Sequence, residues 1–224
     1  MSERGGTEVG QLARLGFAEP RHAVQALAAA QLWAEGEPLD EQARVVVQAL
    51  AETPDPDLAA AALARLVGAV RRPQELLEGL REHEGLRGRL LGVLGSSTAL
   101  GDHLVAHPED WYVLADDDVT TARPSLLGLQ RQLLDAVGAS PRDTMPWGTG
   151  GARARGTGPE VIAALRAAYR RCLVTLAARD LCGSMAVEDV AAELADLASA
   201  TLSAGLAVAL AGLPEGSAPC RLAV

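Results

Sequence analysis

The chain has 224 residues, 49% of them hydrophobic, which is enough for one moderate domain or two small ones with buried cores. Aromatics make up only 3%, lysine is absent and alanine occurs 43 times, so a core must be built from Leu, Val and Ala at close helix-to-helix spacing, which excludes most β-sandwiches and barrels. A net charge of −9, from 29 carboxylates against 20 arginines, disfavours nucleic acid as a partner, because phosphate backbones require a basic footprint.

Cys172, Cys182 and Cys220 are odd in number and show no C-x-x-C spacing, so neither a disulfide framework nor a zinc knuckle is expected, and a reducing cytoplasm fits best. The opening MSERGGTEVG lacks an apolar stretch, and charge interrupts the apolar runs elsewhere, so neither a signal peptide nor a membrane span is expected.

Apolar residues recur at three and four almost everywhere, which predicts an all-α fold: a multi-helix array or bundle ending in a long antiparallel helix pair. Thr7 can cap a first helix carrying Leu12 and Leu15, and Pro20 opens a second through Val24, Leu27 and Leu32 before Gly36 and Pro38 interrupt it. A third helix is predicted from Asp40 to Ala51, and the Thr53-Pro54-Asp55-Pro56 cluster ends it and caps a fourth that buries Leu58, Leu63, Leu66, Val67 and Val70. Pro73 restarts the chain in short helices bearing Leu76, Leu77 and Leu80, then Leu86, Leu90, Leu91 and Leu94. Ser96 or Ser97 caps a helix holding Leu100, Leu104 and Val105. His107-Pro108 starts a turn through Trp111 and Leu114, and Pro124 opens a helix to Val137 that Gly138 terminates.

Residues 138–158 are rich in Gly, Pro and Arg with few apolar anchors, so they are expected to form a mobile loop between a short-helix domain (1–137) and a long helical hairpin (159–212). In that hairpin one helix runs from Pro159 to about Cys182, with Val161, Leu165, Tyr169, Cys172, Leu173 and Leu176 on one face. The other runs from Met185 to about Leu210, with a seam of Val187, Val190, Leu194, Leu197, Thr201, Ala204 and Val208. Gly183 joins the two. Residues 213–224 form a linker and, in Cys220–Val224, an orphan C-terminal strand expected to open a second, truncated domain.

Five features resemble chemistry without completing it. Asp116-Asp117-Asp118 has the D-x-D spacing of a two-magnesium site but follows a helix end rather than a rigid strand, so it reads as a solvated acidic loop. His103 and His107, with Asp102 and His83 as conceivable further ligands, lack an H-E-x-x-H pattern and are expected to face solvent or to cap. The glycines around Arg153 and Arg155 fit no phosphate-cradle template, which leaves a flexible linker or an anion contact. Arg170 and Arg171 either pair with Glu188, Asp189 or Glu193, or reach an interdomain surface or a phosphate. Cys172 is read as a small core residue. No catalytic, cofactor-binding or metal-binding residue is assigned from pattern.

Three blocks nevertheless resemble one family. Leu94-Gly95-Ser96-Ser97-Thr98-Ala99-Leu100-Gly101-Asp102-His103 continuing to Pro108 and Trp111 is similar to the helical block near the start of glutamine synthetase adenylyltransferase, and Leu12–Phe17 matches its actinobacterial style. Tyr169-Arg170-Arg171-Cys172-Leu173 leading to Arg179-Asp180-Leu181 resembles the next block, and Val187-Glu188-Asp189-Val190 through Leu197-Ala198 the third. The resemblance implies a bifunctional enzyme that attaches and removes AMP on a tyrosine of glutamine synthetase with ATP and magnesium, under the influence of a PII-type signal protein. It also implies that the glycine-rich segment and the D-x-D carboxylates of a nucleotidyltransferase domain follow a strand like Arg221–Val224. No catalytic residue is therefore carried over to this chain, Asp116 to Asp118 do not align with the family's acidic pair, and the chain alone is expected to be an inactive helical lead-in. A free-standing α-helical interaction module is the alternative.

Overall fold

A computed structural model describes residues 3–117, 122–140, 151–183 and 185–214, and among them the architecture is all-α apart from one two-stranded antiparallel sheet. The chain divides into two compact units, residues 1–121 with 177–184, and residues 122–176 with 185–224.

In the first unit the helices are α1 (Glu3–Arg14), α2 (Pro20–Ala29), α3 (Glu41–Ala51), α4 (Pro56–Ala69), α5 (Pro73–Glu82), α6 (Glu84–Leu94), α7 (Thr98–Ala106) and α8 (Trp111–Ala115), with a 3-10 turn at Pro108–Asp110. Their boundaries follow local chemistry. Side-chain oxygens of Asp40, Asp55 and Ser97 accept from the amides of Ala43, Leu58 and Leu100, satisfying donors that an α-helix leaves open in its first turn. Proline begins α2, α4 and α5, where a missing N–H costs nothing. Helix α4 sits at the centre of the unit, packed against α2, α3, α5, α6 and α7. It buries Ala59, Ala60, Ala62, Leu63, Leu66 and Val67, so three alanines let neighbouring helices approach where bulkier side chains would hold them apart. Leu58 and Val70, expected in that core, are only half-buried at the two ends of the helix. Asp57 on the first turn of α4 accepts the amides of Ala18 (2.7 Å) and Glu19 (3.2 Å), fastening the chain just before α2.

Two local expectations change. Helix α1 starts at Glu3, so Thr7 lies within it rather than at its cap. The interruption at Gly36 and Pro38 is a hairpin, β1 (Trp33–Ala34) paired with β2 (Glu37–Pro38) through Glu35 and Gly36 at φ 53° and 92°. Positive φ at both central positions matches the twist of tight hairpins, but two-residue strands are too short to show a period of two.

In the second unit, α9 (Leu126–Ala136), capped by Ser125, lies along α11 (Val187–Ala211), and α10 (Pro159–Leu181) adds Val161 and Cys172 to the shared core. Leu129, Leu133, Leu134 and Val137 meet Leu197, Ala200, Ala204 and Ala207 there. The buried seam of α11 is thus alanine-rich and rotated from the expected one: Val187 and Leu194 are exposed at 80% and 42%. The cause is close packing, since alanines at alternating three- and four-residue steps admit α9 where branched side chains would not. Helix α9, which the pattern assigned to the short-helix half, groups with the long helices for the same reason. Helix α11 is also long and apolar enough to cross a membrane by length and composition, contrary to the sequence expectation, although its alanine face is buried against protein.

Residues 151–158 depart from the expected mobile loop, while residues 141–150 lie outside the described residues. Ala152 and Ala154 are buried in the second core, the amide of Ala154 donates to the Ala207 carbonyl (3.0 Å), and that of Arg155 donates to Val137 (2.9 Å). Alanine methyls and backbone amides supply anchors that a count of large apolar side chains overlooks. Gly138 ends this corner of α9 at φ 71°, where an added Cβ would stand 3.0 Å from that of Arg155. Gly138→Ala is expected to cost about 1–2 kcal/mol in a denaturant melt, from left-handed strain alone; an unchanged midpoint would contradict this geometry.

Candidate functional site

The buried polar chemistry of the first unit centres on the end of α7. His103 lies on the inward face of that helix, 1% exposed, and its Nε2 is 2.8 Å from Oδ2 of Asp110, itself 6% exposed. The 3-10 turn opened by Pro108 brings Asp110 back under the helix, so the pair ties α7 to the Trp111 helix that follows. His107, one turn beyond His103, stacks its ring on that of His103 at 4.8 Å and is half-buried, with Glu109 at 3.9 Å. The expectation that both histidines face solvent or cap is therefore corrected for His103. Its spacing from Asp110 across His107-Pro108 was the available signal, and it is invisible to helical periodicity because the proline resets the phase.

The other conceivable ligands do not converge. Asp102 pairs with Arg65 (2.8 Å), and His83 sits exposed where α5 hands over to α6. No grouping of three His, Cys, Asp or Glu side chains suited to a metal ion occurs among the described residues. In the acidic run, Asp116 is exposed and Asp118 lies outside the described residues. Asp117 accepts from the Arg89 guanidinium (2.6 Å), whose Nε also donates to the Leu114 carbonyl (2.8 Å) and so closes the end of α8. A carboxylate engaged by an arginine that braces a helix end is poorly suited to gripping magnesium.

Beside this corner a cleft of about 590 Å³ is lined by Val70, Arg71, Arg72, Pro108, Glu109, Trp111 and Tyr112. Tyr112 stacks on the buried Trp111 ring (4.1 Å) and donates to Glu75 (2.9 Å), which also lies 3.6 Å from Arg72. That hydrogen bond and the nearby carboxylate push the phenol above its ordinary value. The aromatic shelf is thereby tied internally, and among the described residues that line the cleft there is no Ser, Cys or His side chain.

In the second unit Arg153 reaches three backbone carbonyls at the end of α11: Leu210 (2.6 Å), Leu213 (2.9 Å) and Pro214 (3.1 Å). A guanidinium fork satisfies carbonyls that a helix leaves open at its C-terminus, and its charge suits that end of the helix dipole. Arg153 is thus a cap, not an anion ligand. Arg153→Ala is expected to cost about 2 kcal/mol, the loss of charge-assisted hydrogen bonds, measured by thermal unfolding; phosphate-dependent stabilisation of the wild-type chain would argue instead for the anion contact. Arg170 and Arg171 are exposed, Arg179 is buried and partnered, and Cys172 is buried in the second core as expected. Burial pushes the Cys182 thiol up, with Arg89 partly opposing, which makes it a sluggish nucleophile. The Cys220–Val224 strand lies outside the described residues.

No protein-family model matches the chain, and no solved structure matches it. Curated proteins do. The chain is 42% identical over 219 residues, 96% of its length, to a Streptomyces avermitilis protein named bifunctional glutamine synthetase adenylyltransferase/adenylyl-removing enzyme. It is equally similar over the same length to a Streptomyces coelicolor protein of that name, and 38% identical over 220 residues to one from Mycobacterium avium. It spans about a fifth of the length of these relatives, 19% of the two from Streptomyces and 20% of the third. On identity that runs through both structural units, the chain belongs to the actinobacterial family of bifunctional glutamine synthetase adenylyltransferase/adenylyl-removing enzymes.

Proposed function

We propose that the chain supplies helical scaffold and contact surface to an enzyme that adds AMP to, and removes it from, a tyrosine of glutamine synthetase in the cytoplasm. The observation that carries this reading is the 42% identity along 96% of the chain to proteins named for both reactions. The residues described here act by position. Helix α4 and the His103–Asp110 tie hold the first unit, and the alanine seam of α11 holds the second. ATP and magnesium would be gripped elsewhere in the longer protein, because Asp117 is already engaged by Arg89. When bound, the metal would neutralise phosphate charge during in-line displacement. Glutamine synthetase is the substrate partner in this reading, and a PII-type protein a regulatory one.

The test uses the purified chain, glutamine synthetase in its unmodified and adenylylated forms, radiolabelled ATP, inorganic phosphate as acceptor of the removed AMP, and magnesium. Neither incorporation of AMP nor its release from adenylylated glutamine synthetase is expected; turnover in either direction would place catalytic groups within these 224 residues. A free-standing helical interaction module is the second reading, favoured by the buried core that α9, α10 and α11 share with Ala152 and Ala154. It requires binding to a partner other than glutamine synthetase or its modifying enzyme.

A further inference from the structure

Helix α11 has two apolar faces, and the core uses one. Leu197, Ala200, Ala204 and Ala207 are buried, whereas Leu194, Leu202 and Leu206, at successive eight- and four-residue steps, are 42%, 55% and 38% exposed, and Leu213 just beyond the helix is 40% exposed. Ala198 and Ala209 fill the intervals and are exposed as well. From Leu197 to Leu213 no residue is charged. An outward helix face normally carries charge, and a helix apolar all round is a buried one. Scattered exposed leucines are ordinary; a continuous uncharged strip over four turns is not.

We infer that this strip is a docking surface for an apolar helix or sheet face belonging to the part of the longer polypeptide that the relatives carry outside the matched stretch. The inference rests on the functional reading above and names what the scaffold holds. The relatives match 96% of this chain within polypeptides of which that match is 19%, so a stretch 42% identical to it exists tethered to about four times its own length of further protein. A tethered occupant meets the strip at high effective concentration and needs little affinity of its own. Charge disfavours a lipid occupant: Glu188, Asp189, Glu193 and Asp196 cluster at one end of the helix, the chain has no lysine and its net charge is −9.

Carbene footprinting of side chains, read on the peptide covering residues 187–213, separates the outcomes. In the isolated chain the strip is expected to label freely, and in the full-length Streptomyces avermitilis relative the matched peptide is expected to label several-fold less. Equal labelling in the two proteins would overturn the inference. So would protection already present in the isolated chain, whether from its own fold or from a dimer seen by sedimentation, and so would protection that appears only with anionic vesicles. Adenylylation by the full-length relative is measured separately, so a failed docking surface is distinguishable from a failed functional reading. Leu202→Asp in the isolated chain is expected to keep its helical circular dichroism, which shows that the strip serves no internal packing.

Discussion

Replacing Asp110 with alanine is expected to destabilise the chain by about 3 kcal/mol, because it removes the carboxylate bonded to His103 Nε2 inside the fold and leaves a cavity beside the ring. Both side chains are nearly fully buried, at 1% and 8% exposed, so solvent screening does little to dilute the effect. For a unit of this size such a loss corresponds to a fall of about 10 °C in the unfolding midpoint. Asp110→Asn retains volume and an oxygen acceptor and is expected to lose less than half as much. Glu109→Ala, one residue away and exposed, is expected to move the midpoint by under about 0.5 kcal/mol. A melt in which Asp110→Ala and Glu109→Ala behave alike would show that the pair contributes nothing. The resemblance that pointed to this family passes through the same residues, His103 to Trp111, and the structure gives them a physical reason to stay together.

The second large effect contrasts two neighbours on one helix. Ala204→Asp places a carboxylate in the fully buried seam between α11 and α9 and is expected to cost about 4 kcal/mol or to prevent the second unit from folding. Leu202→Asp, two residues earlier and 55% exposed, is expected to change the stability of the isolated chain by about 0.5 kcal/mol at most. Urea unfolding of the two variants compares them directly. Similar losses would mean that α11 is rotated from the orientation described, and with it both the seam and the proposed docking strip would fall.

Much of the helical framework was readable along the chain. The caps at Asp40, Asp55 and Ser97, the opening prolines and the Gly138 terminator act through bonds spanning three or four residues, so their signals are local and survive without a tertiary context. The readings that changed all depend on contacts between distant residues. His103 looked like one of two surface histidines until the turn at Pro108 returned Asp110 beneath it. Arg153 read as part of a flexible linker, with an anion contact as the alternative, until the end of α11 arrived at its guanidinium. Ala152 and Ala154 carried too little side chain to announce a buried segment. The two strand residues on each side of the Glu35-Gly36 turn left no periodic trace.

By itself the sequence determined the class of fold, many of the helix starts and stops, and the family, because these rest on local backbone chemistry and on residue identity. Which face of α11 is core was decided only in three dimensions. From Leu197 onward that helix is uncharged and apolar all round, so hydrophobicity alone offers two equivalent stripes, and the choice falls to the one whose small side chains let α9 come close.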